Sequence, residues 1–96
     1  MANKMYKVVL ISESGYDPKH DELLLTFLDD KVELFCAVGK DCEVWENVMD
    51  ELAIGDGIKS RYITTTCHPD ESIEDVIEFA NNFSTKFKCI VREFSI

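Results

Sequence analysis

Cys42 and Cys67 are the residues whose surroundings most resemble reactive chemistry. Each stands at or near the start of a helical pattern, where the helix dipole favours a thiolate, and Cys67 has His68 as its neighbour. Glu43 and Asp70 work against that activation by repulsion. Adjacent residues also point apart, so His68 is poorly placed to take a proton from Cys67. The expectation is an inert thiol and no catalytic residue. Cys36, Cys42, Cys67 and His68 are metal-ligand types, yet no Cys-x-x-Cys pair occurs, and paired ligands are how structural zinc sites announce themselves. Neither a metal nor a cofactor is expected. The segment from Cys36 to Cys42 is not a cysteine-phosphatase loop, because no arginine closes it.

Phosphate-binding loops are equally absent from the sequence. Ser12-Glu13-Ser14-Gly15 lacks the Gly-Lys-Ser/Thr ending of a P-loop and the Gly-x-Gly-x-x-Gly spacing of a dinucleotide fingerprint. A receiver-type acceptor would need an aspartate ending the third strand, and that strand ends in Thr64-Thr65-Thr66.

These residues are positioned by a regular alternation of elements. Tyr6 to Ser12 is a short apolar run, which predicts a buried strand. Asp17-Pro18 announces a helix that reaches about Asp30, with His20, Leu23, Leu24, Phe27 and Leu28 on its inner stripe. Val32 to Val38 alternates around Glu33, which predicts an edge strand. Asp41 is the expected cap of a second helix whose stripe is Trp45, Val48, Met49 and Leu52, stopped by Gly55 and Gly57. Arg61 to Thr66 is β-branched and aromatic, hence a strand. Pro69 and Asp70 open a third helix, Ser72 and Asp75 have capping-box spacing, and Ile73, Val76, Ile77, Ala80 and Phe83 form the stripe. Phe87 to Phe94 alternates again and carries charges, which predicts a second edge.

Strand and helix alternate over 96 residues, so the chain reads as one α/β domain, residues 1–96, of three-layer, half-Rossmann-like βαβαβαβ type. With the second and fourth strands as edges, the four-stranded parallel sheet is expected in the order 2-1-3-4. Ligands in such sheets bind outside the carboxyl ends of the strands. Three loops are expected there: Ser12, Glu13 and Ser14; Gly39, Lys40, Asp41 and Cys42; and Thr66, Cys67 and His68.

The segments Glu33 to Gly39, Met49 to Leu52 and Thr64 to Ser72 resemble a family of small bacterial proteins of unknown function, over roughly residues 6 to 83. The resemblance implies a bacterial single-domain protein and carries no activity. In size, acidity and a final strand the chain is similar, more distantly and without a shared motif, to barstar-type nuclease inhibitors.

Nineteen acidic residues face ten lysines and arginines, a net charge of −9. That charge repels phosphate backbones and anionic lipid, so neither nucleic acid nor membrane is an expected partner. No signal-like or membrane-length apolar stretch occurs, and a cytoplasmic setting with free thiols is expected. Acids cluster on the wet faces of the last two helices: Glu43, Glu46, Asp50 and Glu51, then Glu71, Glu74, Asp75 and Glu78. Under the order 2-1-3-4 both helices cover one side of the sheet and merge into one acidic surface. The leading expectation is a non-enzymatic protein-binding domain of inhibitor, immunity or regulatory type that docks a basic partner. The alternative is a small-ligand or thiol-dependent protein using the loop end. A homodimer through the fourth strand, or an apolar half-open face beside it, is also expected.

Overall fold

The computed structural model describes residues 6–55, 62–85 and 89–96. The strands are β1 (Tyr6–Ser12), β2 (Leu34–Gly39), β3 (Thr64–His68) and β4 (Ile90–Ser95). The helices are α1 (Asp21–Asp29), entered through a 3-10 turn at Pro18–His20, then α2 (Cys42–Ile54) and α3 (Ile73–Asn82). The four strands form one parallel sheet, as expected from the alternation. Gly57 and Phe87, read as a helix stop and a strand start, lie outside the described residues.

The strand order is 3-2-1-4, which corrects the expected 2-1-3-4. The error came from Glu33. It precedes β2 instead of interrupting it, and Leu34 to Val38 are buried on both faces of the sheet. The true edge is β3, whose three threonines are only half-buried. A hydroxyl-rich strand tolerates water along one side, whereas an all-apolar strand must be flanked.

The order decides which helices share a face. From β1 through β2 to β3 the chain steps in one direction, so right-handed crossovers put α1 and α2 on the same side. The return from β3 to β4 passes back across β2 and β1, so α3 takes the opposite side. The core divides accordingly. Val8, Leu10, Phe35 and Ala37 pack with Leu24, Phe27, Trp45 and Met49 of α1 and α2. Val9, Ile11, Leu34, Cys36 and Val38 pack with Val76 and Ala80 of α3. The acidic faces of α2 and α3 therefore lie on opposite sides, and the single merged acidic surface does not form. The face with one helix is α3's. On this face β3 presents Thr64 and Thr66, and β4 presents Val91 and Glu93, with Val91 packed against the α3 side of the core.

Candidate functional site

At the carboxyl ends of the strands, the loops after β1 and β2 interlock. Gly39 has φ +98°, and a Cβ there would lie 2.4 Å from the Ser12 carbonyl oxygen, so glycine lets the two strand ends touch. Lys40 N–H donates to that oxygen at 2.8 Å. The buried Ser12 hydroxyl accepts from Trp45 Nε1 at 3.0 Å. Gly15 is packed so closely on Asp41 that a Cβ would meet Oδ2 at 2.6 Å, and the same oxygen accepts from Tyr16 N–H at 3.1 Å. Asp41 occupies the cap position of α2 with φ 60°, but its carboxylate serves this loop instead of capping the helix. Tyr16 and His20 pack on the Trp45 ring, with centroids 5.1 and 5.4 Å away.

The switch point lies between β1 and β4, not between the first and third strands. There the N–H groups of Glu13 and Ser14, which a bound anion would need, both donate to the Ile96 carbonyl oxygen at 2.7 and 3.1 Å. Asp17 takes up Lys19 N–H at the entrance to the next helix. Glu13 and Asp17 add negative charge to this end, so a phosphate group is disfavoured electrostatically as well.

Thr66, Cys67 and His68 are strand residues, not a loop, because β3 runs as far as β2 does: Val38 is opposite His68. Alternation then separates them. Cys67 points beneath α2, where burial first, and then hydrogen bonding to the Glu46 carboxylate, pushes its thiol up to about 11. Burial likewise pushes Cys36 up to about 11 on the other face. Cys42 and Cys67 therefore lie across the sheet from Cys36 and His68, and these four cannot share an ion. Among the described residues no group of three or more His, Cys, Asp or Glu could hold a metal ion. Cys36, Cys42 and Cys67 are free thiols, the first two of them buried.

Thr66 and His68, two residues apart on the α3 face, are joined in a chain of side-chain hydrogen bonds. Thr66 Oγ1 lies 2.8 Å from His68 Nε2, and His68 Nδ1 lies 3.0 Å from Glu71 Oε1. His68 is 6% exposed, and Phe79 packs on its ring at 5.1 Å. Period-two spacing makes the Thr66–His68 pairing legible once the strand is placed late enough. Glu71 was visible in the sequence only as an acidic residue.

The acidic residues fall into two kinds. On α2, Asp50 accepts from the Thr65 hydroxyl at 2.7 Å and Glu46 from the Cys67 thiol, so both fasten the helix to β3. Glu43 and Glu51 are exposed. On α3, Ser72 caps the helix by accepting from Asp75 N–H at 3.2 Å, while Glu74, Asp75 and Glu78 are exposed. Asp75, Glu78, Phe79, Asn82 and Phe83, with Ser84, line a depression of about 430 Å³. Their spacing of three and four residues makes this one stripe of the helix. Sequence patterning assigned Phe83 to the core and gave Phe79 no role; Phe79 is 37% exposed.

A family model described as Domain of unknown function (DUF7684) matches residues 1–93. No curated protein and no solved structure matches the chain.

Proposed function

The chain belongs to this family of unknown function, which lends it no activity, and from its geometry alone we propose that it is a protein-binding domain that docks a basic segment of a partner protein on α3. The observation that carries the reading is the depression on α3, where two carboxylates and two aromatic rings stand on one stripe of a chain with net charge −9. Lysine or arginine can pair with Asp75 and Glu78 while an apolar neighbour packs on Phe79 and Phe83. Inhibitor, immunity and regulatory partners all use surfaces of this chemistry. A bacterial, cytoplasmic setting belongs to the same proposal. No helix among the described residues is long and apolar enough to cross a membrane.

The thiol-dependent alternative is disfavoured by the raised Cys36 and Cys67 thiols, and the loop-end alternative by the occupied Glu13 and Ser14 N–H groups. The docking reading is tested by titrating the labelled protein with an arginine-rich peptide carrying one central leucine, at low and high salt. Binding should weaken steeply with salt, and Glu78→Lys should weaken it roughly tenfold or more. Glu46→Lys, on the opposite side of the sheet, should leave it nearly unchanged. Equal losses from the two reversals would remove α3 as the docking surface.

A second reading rests on β4, which among the described residues pairs only with β1 and leaves Ile90 61% exposed. The partner proposed for this edge is a second copy of the chain. An antiparallel pair centred on Val91 sets Arg92 opposite the second copy's Ile90 and avoids like charges face to face. Sedimentation equilibrium at micromolar concentration should give a dimer mass. A monomer mass at every concentration would end this reading.

A further inference from the structure

We propose that Thr66 is a nucleophilic hydroxyl, with His68 as its general base and Glu71 as the residue that positions the imidazole, and that this site takes small activated carboxylic esters. The proposal is independent of docking on α3. A carboxylate only accepts hydrogen bonds, so the contact with Glu71 Oε1 assigns the ring proton to His68 Nδ1. His68 Nε2 is then a lone pair 2.8 Å from Thr66 Oγ1, and the Thr66 hydroxyl can donate to it, with the Cys36 sulfur on the neighbouring strand as its other hydrogen-bonding neighbour. This is the relation between nucleophile, base and orienting acid that acyl transfer requires.

The surroundings fit that role. His68 is buried and Phe79 packs on its ring, which holds the imidazole against Thr66. Thr66 lies on edge strand β3 and is half-buried, while α3 packs mainly on β1, β2 and β4. A small reagent can therefore approach Thr66 from the open side. Thr64 occupies the same face two residues earlier, with the Tyr62 hydroxyl 3.3 Å from its Oγ1.

In the reaction, Thr66 Oγ1 bonds to the acyl carbon and its proton passes to His68 Nε2. The carbonyl oxygen takes the electron pair and then returns it as the bond to the leaving oxygen breaks. The leaving group takes the proton from Nε2. The products are an alcohol and an acyl ester on Thr66, with the imidazole neutral again.

The test incubates the full chain with p-nitrophenyl acetate, follows nitrophenolate release and maps the acetyl group by peptide mass spectrometry. Acetylation of Thr66 is expected, absent in Thr66→Val and retained in Thr66→Ser. His68→Gln should slow it about a hundredfold. Glu71→Gln should lower the acylation rate about tenfold while the half-saturating ester concentration stays unchanged, and Glu71→Asp should restore part of the rate; a merely structural contact would not lower the rate of the folded protein. Glu22→Gln, exposed on α1 across the sheet, should acetylate like the parent. Circular dichroism confirms that each variant is folded. Acetyl groups found only on lysines or cysteines of the folded parent, or a Thr66 rate that His68→Gln leaves unchanged, would overturn the proposal.

Discussion

The two sides of the sheet are built from the same residue types but use them differently. On the α1/α2 side, Phe27, Phe35 and Trp45 are fully buried, and acids are committed to local partners. Asp30 accepts from the Tyr6 hydroxyl, Asp21 from Tyr16, and Asp50 from Thr65. On the α3 side the buried residues are smaller, and the helix is anchored by a charge. Lys7, 5% exposed, donates through Nζ to the carbonyl oxygens of Ala80 at 2.8 Å and Phe83 at 2.7 Å. It satisfies the end of α3 where the helix dipole is negative. One side is closed by aromatic packing, and the other holds a helix by its end while its outer stripe stays open. Under the docking proposed for α3, stability and recognition fall to different faces.

The largest expected effect that can break this contrast comes from the aromatic rings. Trp45→Ala should cost about 3–5 kcal/mol, since it empties a fully buried site and leaves Ser12 without its donor. Phe79→Ala, on the open stripe, should cost less than about 1.5 kcal/mol. Urea unfolding of the two variants measures the difference, and similar losses would show that the α3 stripe is core after all.

Next comes the anchor. Lys7→Met keeps the buried stem and removes the donor, so it should cost about 2 kcal/mol. The loss should be local. Amide exchange should quicken first in the last turn of α3, while α1 and α2 stay protected. Uniform quickening over all three helices would mean that the two sides do not open separately.

The smallest effect is alkaline. Burial, followed by the Asp30 hydrogen bond, pushes Tyr6 up to about 12, and the hydrogen bond to Asp21, followed by burial, does the same for Tyr16. Both sit on the α1/α2 side. Between pH 10 and about 12 the folded state binds more protons than the unfolded state, so stability is full below pH 10 and falls as pH rises. Phenolate absorbance should therefore rise late for these two rings, and Tyr6→Phe should flatten the alkaline loss. An unchanged alkaline limb in that variant would show that the ionisation of Tyr6 contributes nothing to it.

The order of elements was fully legible in the sequence, because each element is announced within a few residues. The apolar run of β1, the stripe of Trp45, Val48, Met49 and Leu52, and the Ser72 cap are local patterns, and each reappears in the fold. Parallel pairing followed from their alternation. Strand order was not legible, because it depends on whether both faces of a strand are covered, and that is a property of elements far apart in the chain. One carboxylate, Glu33, sufficed to misplace β2 at the edge. With the order went the sharing of faces, and with that the separation of the α2 and α3 acids. The hydrogen-bonded group of Thr66, His68 and Glu71 lay halfway between. Spacing sets Thr66 and His68 on one side of a strand, but only the register of β3 against β2 and the turn into α3 bring Glu71 to the imidazole. Local sequence determined which surfaces each element has. Tertiary structure decided which of them meet, because that choice is made by burial summed over the whole sheet.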